Sequence, residues 1–82
     1  MNKYYVNIYV PYLEKDYDMF LPVGKSVINV TNLIIKSLNK LTNGYYEKSD
    51  AKLYFKDNGA LVDLTTIVKK SGIHNGSRLI LL

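Results

Sequence analysis

Apolar and polar residues alternate along YYVNIYV, residues 4–10. Tyr4, Val6, Ile8 and Val10 fall on one face, and Tyr5, Asn7 and Tyr9 on the other. That period of two predicts a half-buried β-strand. PYLEKD interrupts it, because Pro11 has no N–H to donate into a ladder. Alternation resumes in YDMFL, residues 17–21, with Tyr17, Met19 and Leu21 as the inward set. Two such runs joined by about five residues predict an antiparallel hairpin.

The period then changes. After the breakers Pro22 and Gly24, Ser26 stands as a helix N-cap, and Val27, Val30, Ile34, Leu38 and Leu41 follow at helical spacing. Ile28, Leu33 and Ile35 flank this stripe, while Asn29, Asn32, Lys36, Asn39 and Lys40 lie mostly on the polar side. Asn43-Gly44 supplies the stop. Such a helix is roughly 21 Å long and a seven-residue strand roughly 23 Å, so the helix can lie across a small sheet.

YYEKSD, residues 45–50, reads as a surface loop. AKLYF, residues 51–55, reads as a third strand with Leu53 and Phe55 on one face and Lys52, Tyr54 and Lys56 on the other. Asp57-Asn58-Gly59 signals a tight turn into a brief return strand, ALV. DLTTIVKKSG is irregular or one helical turn, and Gly72 to Gly76 sets up a last turn into SRLILL. The order predicts an α+β domain with one helix covering one face of a mixed four- to five-stranded sheet. The closing LILL is continuously apolar and would be a liability at a sheet edge. It is therefore placed centrally, parallel to the first strand and beside the third.

Eighty-two residues make one domain spanning 1–82. The chain has no cysteine, which excludes disulfides and zinc–thiolate sites and fits a reducing compartment. No stretch approaches the ~20 apolar residues needed to span a bilayer, so no direct membrane insertion is expected. The first residues lack the features of a signal peptide, and a cytoplasmic location is expected. The sequons at Asn29 and Asn75 are then coincidental. Net charge is +4, yet the eleven basic residues are scattered, with Lys69-Lys70 the only adjacent pair. Scattered lysines read as a solvated surface rather than a nucleic-acid footprint.

Candidate catalytic chemistry is sparse. His74 is the lone histidine and reads as a turn residue, since a metal site needs three or four ligands. The carboxylates sit mostly in loops, and Asp16 and Asp18 share an open strand face without a pocket. No serine stands in a G-x-S-x-G elbow, and no helix N-terminus follows Gly72 and Gly76 to make a phosphate loop. The expectation is a protein that is not an enzyme and holds no cofactor or metal.

The element order resembles the ubiquitin-like β-grasp fold along nearly the whole chain. GIHNGSRLILL, residues 72–82, is similar to the Gly-Ile-x-Asn/Asp-Gly-Ser/Asp-x-Leu-x-Leu ending common among ubiquitin-like domains. LPVGKSVINV places Leu21, Ser26, Val27 and Val30 at ubiquitin-like spacing, and AKLYFKDNGALVD resembles the third and fourth strands. In size, ending and texture the chain looks most like the YukD/EsaB family of small ubiquitin-like proteins of bacterial type VII secretion systems. That resemblance implies an accessory or regulatory component without catalysis, working beside machinery that exports helical-hairpin substrates. Its partner would be a membrane-associated secretion-system protein. Ubiquitin and the sulfur carriers act through a flexible Gly-Gly carboxylate. Leu81-Leu82 stands here instead, so the expectation is a domain that is not conjugated.

The uncovered face of the sheet is the candidate site. Alternation puts Tyr5 and Tyr9 there, with Phe20 and Asp18 from the second strand and Lys52, Tyr54 and Lys56 from the third. The last strand adds Arg78, Ile80 and Leu82. A face that only met water would be polar at these positions. Aromatic and aliphatic groups rimmed by cations suit protein docking instead, and ubiquitin-like domains commonly use this surface. Tyr54 and Ile80 are the expected central anchors, supported by Tyr9, Phe20 and Arg78. Tyr12 and Leu13, at the hairpin tip, either fold back or stay exposed. Aromatics with lysines on a sheet also suit single-stranded RNA, which stands as the alternative, although no RNP-type motif is present.

Overall fold

The computed structural model describes residues 2–82. Strand β1 (Lys3–Val10) turns through one 3-10 turn (Pro11–Leu13) into β2 (Lys15–Pro22). Helix α1 (Val27–Leu41) follows, then β3 (Leu53–Phe55), a second 3-10 turn (Val68–Lys70) and β4 (Arg78–Leu81). The sheet order is β2-β1-β4-β3. β1 and β2 pair antiparallel over their full lengths, from Lys3↔Pro22 to Val10↔Lys15. β4 lies parallel to β1 (Asn7↔Arg78, Tyr9↔Ile80) and antiparallel to β3 (Leu53↔Leu81, Phe55↔Leu79).

The placement of LILL at the centre follows from what each face buries. Leu79 and Leu81 point into the core beside Val6, Ile8, Val10 and Leu53, and all six are essentially inaccessible. Each such aliphatic side chain contributes about 1.5–3 kcal/mol on burial. Opposite them, α1 contributes Val27, Val30, Thr31, Ile34 and Leu38. Its start is held by the Ser26 hydroxyl, which accepts from the Asn29 N–H at 3.2 Å. Its end is turned by Asn43 and Gly44, both at positive φ (52° and 85°).

Three expectations change. Leu41, assigned to the buried stripe, is 68% exposed, because the core beneath the last turn of α1 is already filled. The filler is Tyr46, expected in a surface loop and fully buried. Its backbone is drawn inward by two bonds from the helix end: Asn39 Nδ2 donates to its carbonyl at 2.9 Å, and its N–H donates to Thr42 Oγ1 at 2.9 Å. The third change is the return strand at residues 60–62, which does not form. Only the bridge Tyr54↔Leu61 appears, flanked by Phe55 N–H to Ala60 O (2.8 Å) and Val62 N–H to Leu53 O (2.9 Å). Asp63 ends the pairing at once by folding back to accept from the Thr65 N–H and hydroxyl at 2.9 and 2.7 Å. The sheet therefore has four strands, and the segment leaves to bury Val62.

Candidate docking surface

α1 covers one face of the sheet and leaves the other open. Directly paired residues in a ladder turn their side chains to the same face, with neighbouring strands ~4.8 Å apart. The register therefore sets out the open face in rows. One row runs Asp16–Tyr9–Ile80–Tyr54 across all four strands, and the bridge to Leu61 extends it. Tyr9, Ile80 and Tyr54 are half-buried by one another, and Leu61 is half-exposed at the end. A second row is polar: Asp18–Asn7–Arg78, where Asn7 Nδ2 donates to Asp18 Oδ1 at 3.1 Å. A third holds Phe20 paired with Tyr5, their rings tilted with centroids 5.2 Å apart.

Three predicted site residues, Tyr9, Tyr54 and Ile80, are thus brought side by side. Phe20 is not. It lies four positions along β1 from the level of Tyr9, about 13 Å away, across the polar row. At 63% exposure it forms a separate corner with Tyr5. Arg78 lies between the two groups, and its Nη2 pairs with Asp57 Oδ1 at 3.1 Å. Both partners are largely exposed, so the pair holds by at most about 1 kcal/mol, and an incoming carboxylate can displace Asp57. Lys56 Nζ sits 5.5 Å from the centroid of the Tyr9 ring, which settles the cation on the rim of the apolar row. The Tyr5 phenol is held above its ordinary pKa, chiefly by hydrogen bonding with Asp18 and next by partial loss of hydration. The Tyr5 phenol is therefore uncharged near neutral pH.

Leu61 was missed. The signal for it was the Asp57-Asn58-Gly59 turn, since antiparallel return of the chain puts Leu61 opposite Tyr54. At the hairpin tip, the Tyr12 and Tyr45 rings lie tilted with centroids 5.6 Å apart and stay exposed, whereas Leu13 packs on the core. A concavity of about 730 Å³ lies on the helix side between α1 and Tyr46, Glu47 and Ser49. It is shallow and carries charges of both signs, Lys36 and Lys40 against Glu47. No helix among the described residues is long and apolar enough to cross a membrane.

No protein-family model and no curated protein sequence matches the chain. Solved structures do. The EccD5 ubiquitin-like domain from Mycobacterium xenopi is 13% identical, with TM-score 0.79, all of this chain covered and 94% of that one. The ubiquitin-like domain of the Mycobacterium tuberculosis type VII secretion protein EccD1 is 15% identical, with TM-score 0.76 and 100% and 99% covered. A chain of the MycP5-free ESX-5 inner membrane complex is 17% identical with TM-score 0.79. All of the present chain aligns with it but spans only 21% of its length. At these identities the likeness is one of fold: a four-stranded mixed sheet grasping one helix, the ubiquitin-like β-grasp, with neighbours among type VII secretion domains.

Proposed function

We propose that this domain is a non-catalytic adaptor or regulatory component of a bacterial type VII secretion system, of the YukD/EsaB kind. It docks a protein partner through the row Tyr9–Ile80–Tyr54, with Leu61 extending that row. The carrying observation is this contiguous apolar row on an otherwise uncovered sheet face, rimmed by Lys56 and the exchangeable Arg78–Asp57 pair. The likeness to ubiquitin-like domains of EccD proteins supports the choice of system. A membrane-associated component of the same system is the fitting partner, as one neighbour comes from an inner membrane complex.

The test is co-purification with the secretion-system membrane proteins, followed by titration of the component captured. Tyr54→Ala and Ile80→Ala should each weaken binding about thirtyfold, equivalent to the ~2 kcal/mol typical of a central anchor. Phe20→Ala, across the polar row, should change it less. Unchanged binding by folded Tyr54→Ala and Ile80→Ala would remove this face as the site. The RNA alternative draws on Lys56 over Tyr9, and predicts salt-dependent binding of single-stranded oligonucleotides lost in Tyr9→Ala.

A further inference from the structure

Lysines scattered in the sequence are gathered by the fold. Lys3 belongs to the first strand, Lys25 to the turn before α1, and Lys69 and Lys70 to the second 3-10 turn. Backbone bonds tie these segments together: Lys3 pairs with Pro22, Val23 N–H donates to Asn2 O at 3.0 Å, Lys69 N–H to Val23 O at 3.0 Å, and Val68 N–H to Lys25 O at 2.9 Å. All four lysines are exposed. Among the described residues none of them takes part in an ion pair, the one pair being Arg78–Asp57. Nor do the neighbouring segments neutralise them, for residues 19–46 and 64–82 contain no Asp or Glu at all. The patch continues from Lys25 into a shallow depression of about 330 Å³ lined by Asn29, Asn32, Leu33 and Lys36, so two cations, two amides and an exposed leucine share one hollow.

We propose that this end of the domain adsorbs to the anionic headgroup surface of a phospholipid bilayer. Phosphates would sit against Lys3, Lys25, Lys69 and Lys70, with Leu33 at the depth of the headgroups. Several like charges held together, exposed and outside any ion pair among the described residues, match a diffuse anionic surface better than one fixed carboxylate. Lys3 shares the open face but lies six positions before Tyr9 on β1, about 20 Å away, so a protein partner on the Tyr9–Ile80–Tyr54 row and a bilayer at the lysine end can be engaged together. The inference does not depend on the proposed secretion role.

Co-sedimentation with vesicles tests it. Wild-type protein should bind phosphatidylcholine vesicles containing about a third phosphatidylglycerol, ignore pure phosphatidylcholine, and be released by salt. Each lysine at an anionic surface is worth about fivefold in partitioning, so Lys25→Gln/Lys69→Gln/Lys70→Gln should lose roughly a hundredfold. A control with the same net charge, Lys15→Gln/Lys40→Gln/Lys48→Gln, should lose far less. Circular dichroism checks that both variants fold. Equal loss in the two triple variants, or no binding to the anionic vesicles, overturns the proposal. So does loss of oligonucleotide binding, rather than vesicle binding, in the first variant. The partner titrations with Tyr54→Ala and Ile80→Ala do not involve these lysines, so either proposal can fail alone.

Discussion

Tyr45 and Tyr46 are adjacent, identical and opposite in fate, which gives a sharp test of the packing. Tyr46 is wholly inaccessible, and its ring meets Tyr12 edge-on at 5.8 Å. Its hydroxyl is buried with no hydrogen-bond partner, and burial pushes the phenol above its ordinary pKa. A buried hydroxyl without a partner costs about 1–3 kcal/mol of desolvation. Tyr46→Phe removes that oxygen and keeps the ring, so it should stabilise the fold by about 1 kcal/mol. In a domain of this size that raises Tm by about 4–8 °C. Tyr46→Ala deletes the ring as well and should cost about 3–5 kcal/mol. The same two changes at Tyr45, which is 66% exposed, should each stay within about 0.5 kcal/mol of wild type. Urea melts followed by circular dichroism measure all four, with equal m-values confirming a common unfolded state. If Tyr46→Phe destabilised the domain by 1 kcal/mol or more, the hydroxyl would have a bonding partner and the reasoning would fail.

Other consequences can be checked in the same assay. Gly72 has φ +95°, and a Cβ there would meet Phe55 Cζ at 3.3 Å, so Gly72→Ala should lose about 1–3 kcal/mol. Leu41→Lys should be neutral within about 0.5 kcal/mol, and a cation suits the helix end, whereas Leu38→Ala should cost about 2–5 kcal/mol. The Asp63 carboxyl is held below its ordinary value of 3.8, first by the Thr65 N–H and then by the Thr65 hydroxyl. A lowered folded-state pKa means the contribution is complete above the unfolded value and lost as pH falls through the folded one. The stability gap between wild type and Asp63→Asn should therefore be constant near neutrality and close below about pH 4.

Much of the fold is written locally. The alternation in residues 4–10 and 17–21, the Ser26 cap with its apolar stripe, and the Asn43-Gly44 stop each depend on near neighbours, and each element forms there. β2, however, starts earlier, at Lys15 inside the predicted interruption, and runs on through Pro22. Even the central position of β4 was legible, because four consecutive apolar residues have no stable place at an edge. The candidate site was legible only as a face. Alternation says which side of a strand a residue takes, but not which residue lies opposite it on another strand. Register alone put Tyr9, Ile80 and Tyr54 together, and left Phe20 behind a polar row.

What the amino-acid order determined by itself is therefore the hairpin, the helix, the central closing strand, the inward and outward faces of those strands, and the α+β class. Those follow from backbone sterics and from apolar periodicity over a few residues. Only the tertiary structure decided that Tyr46 rather than Leu41 seals the core, that residues 60–62 stop at one bridge, and that four distant lysines share one end. Each outcome turns on competition for a single volume, or on bonds between segments remote in sequence. No local pattern contains that information, because burial is settled by which side chain fills the space best.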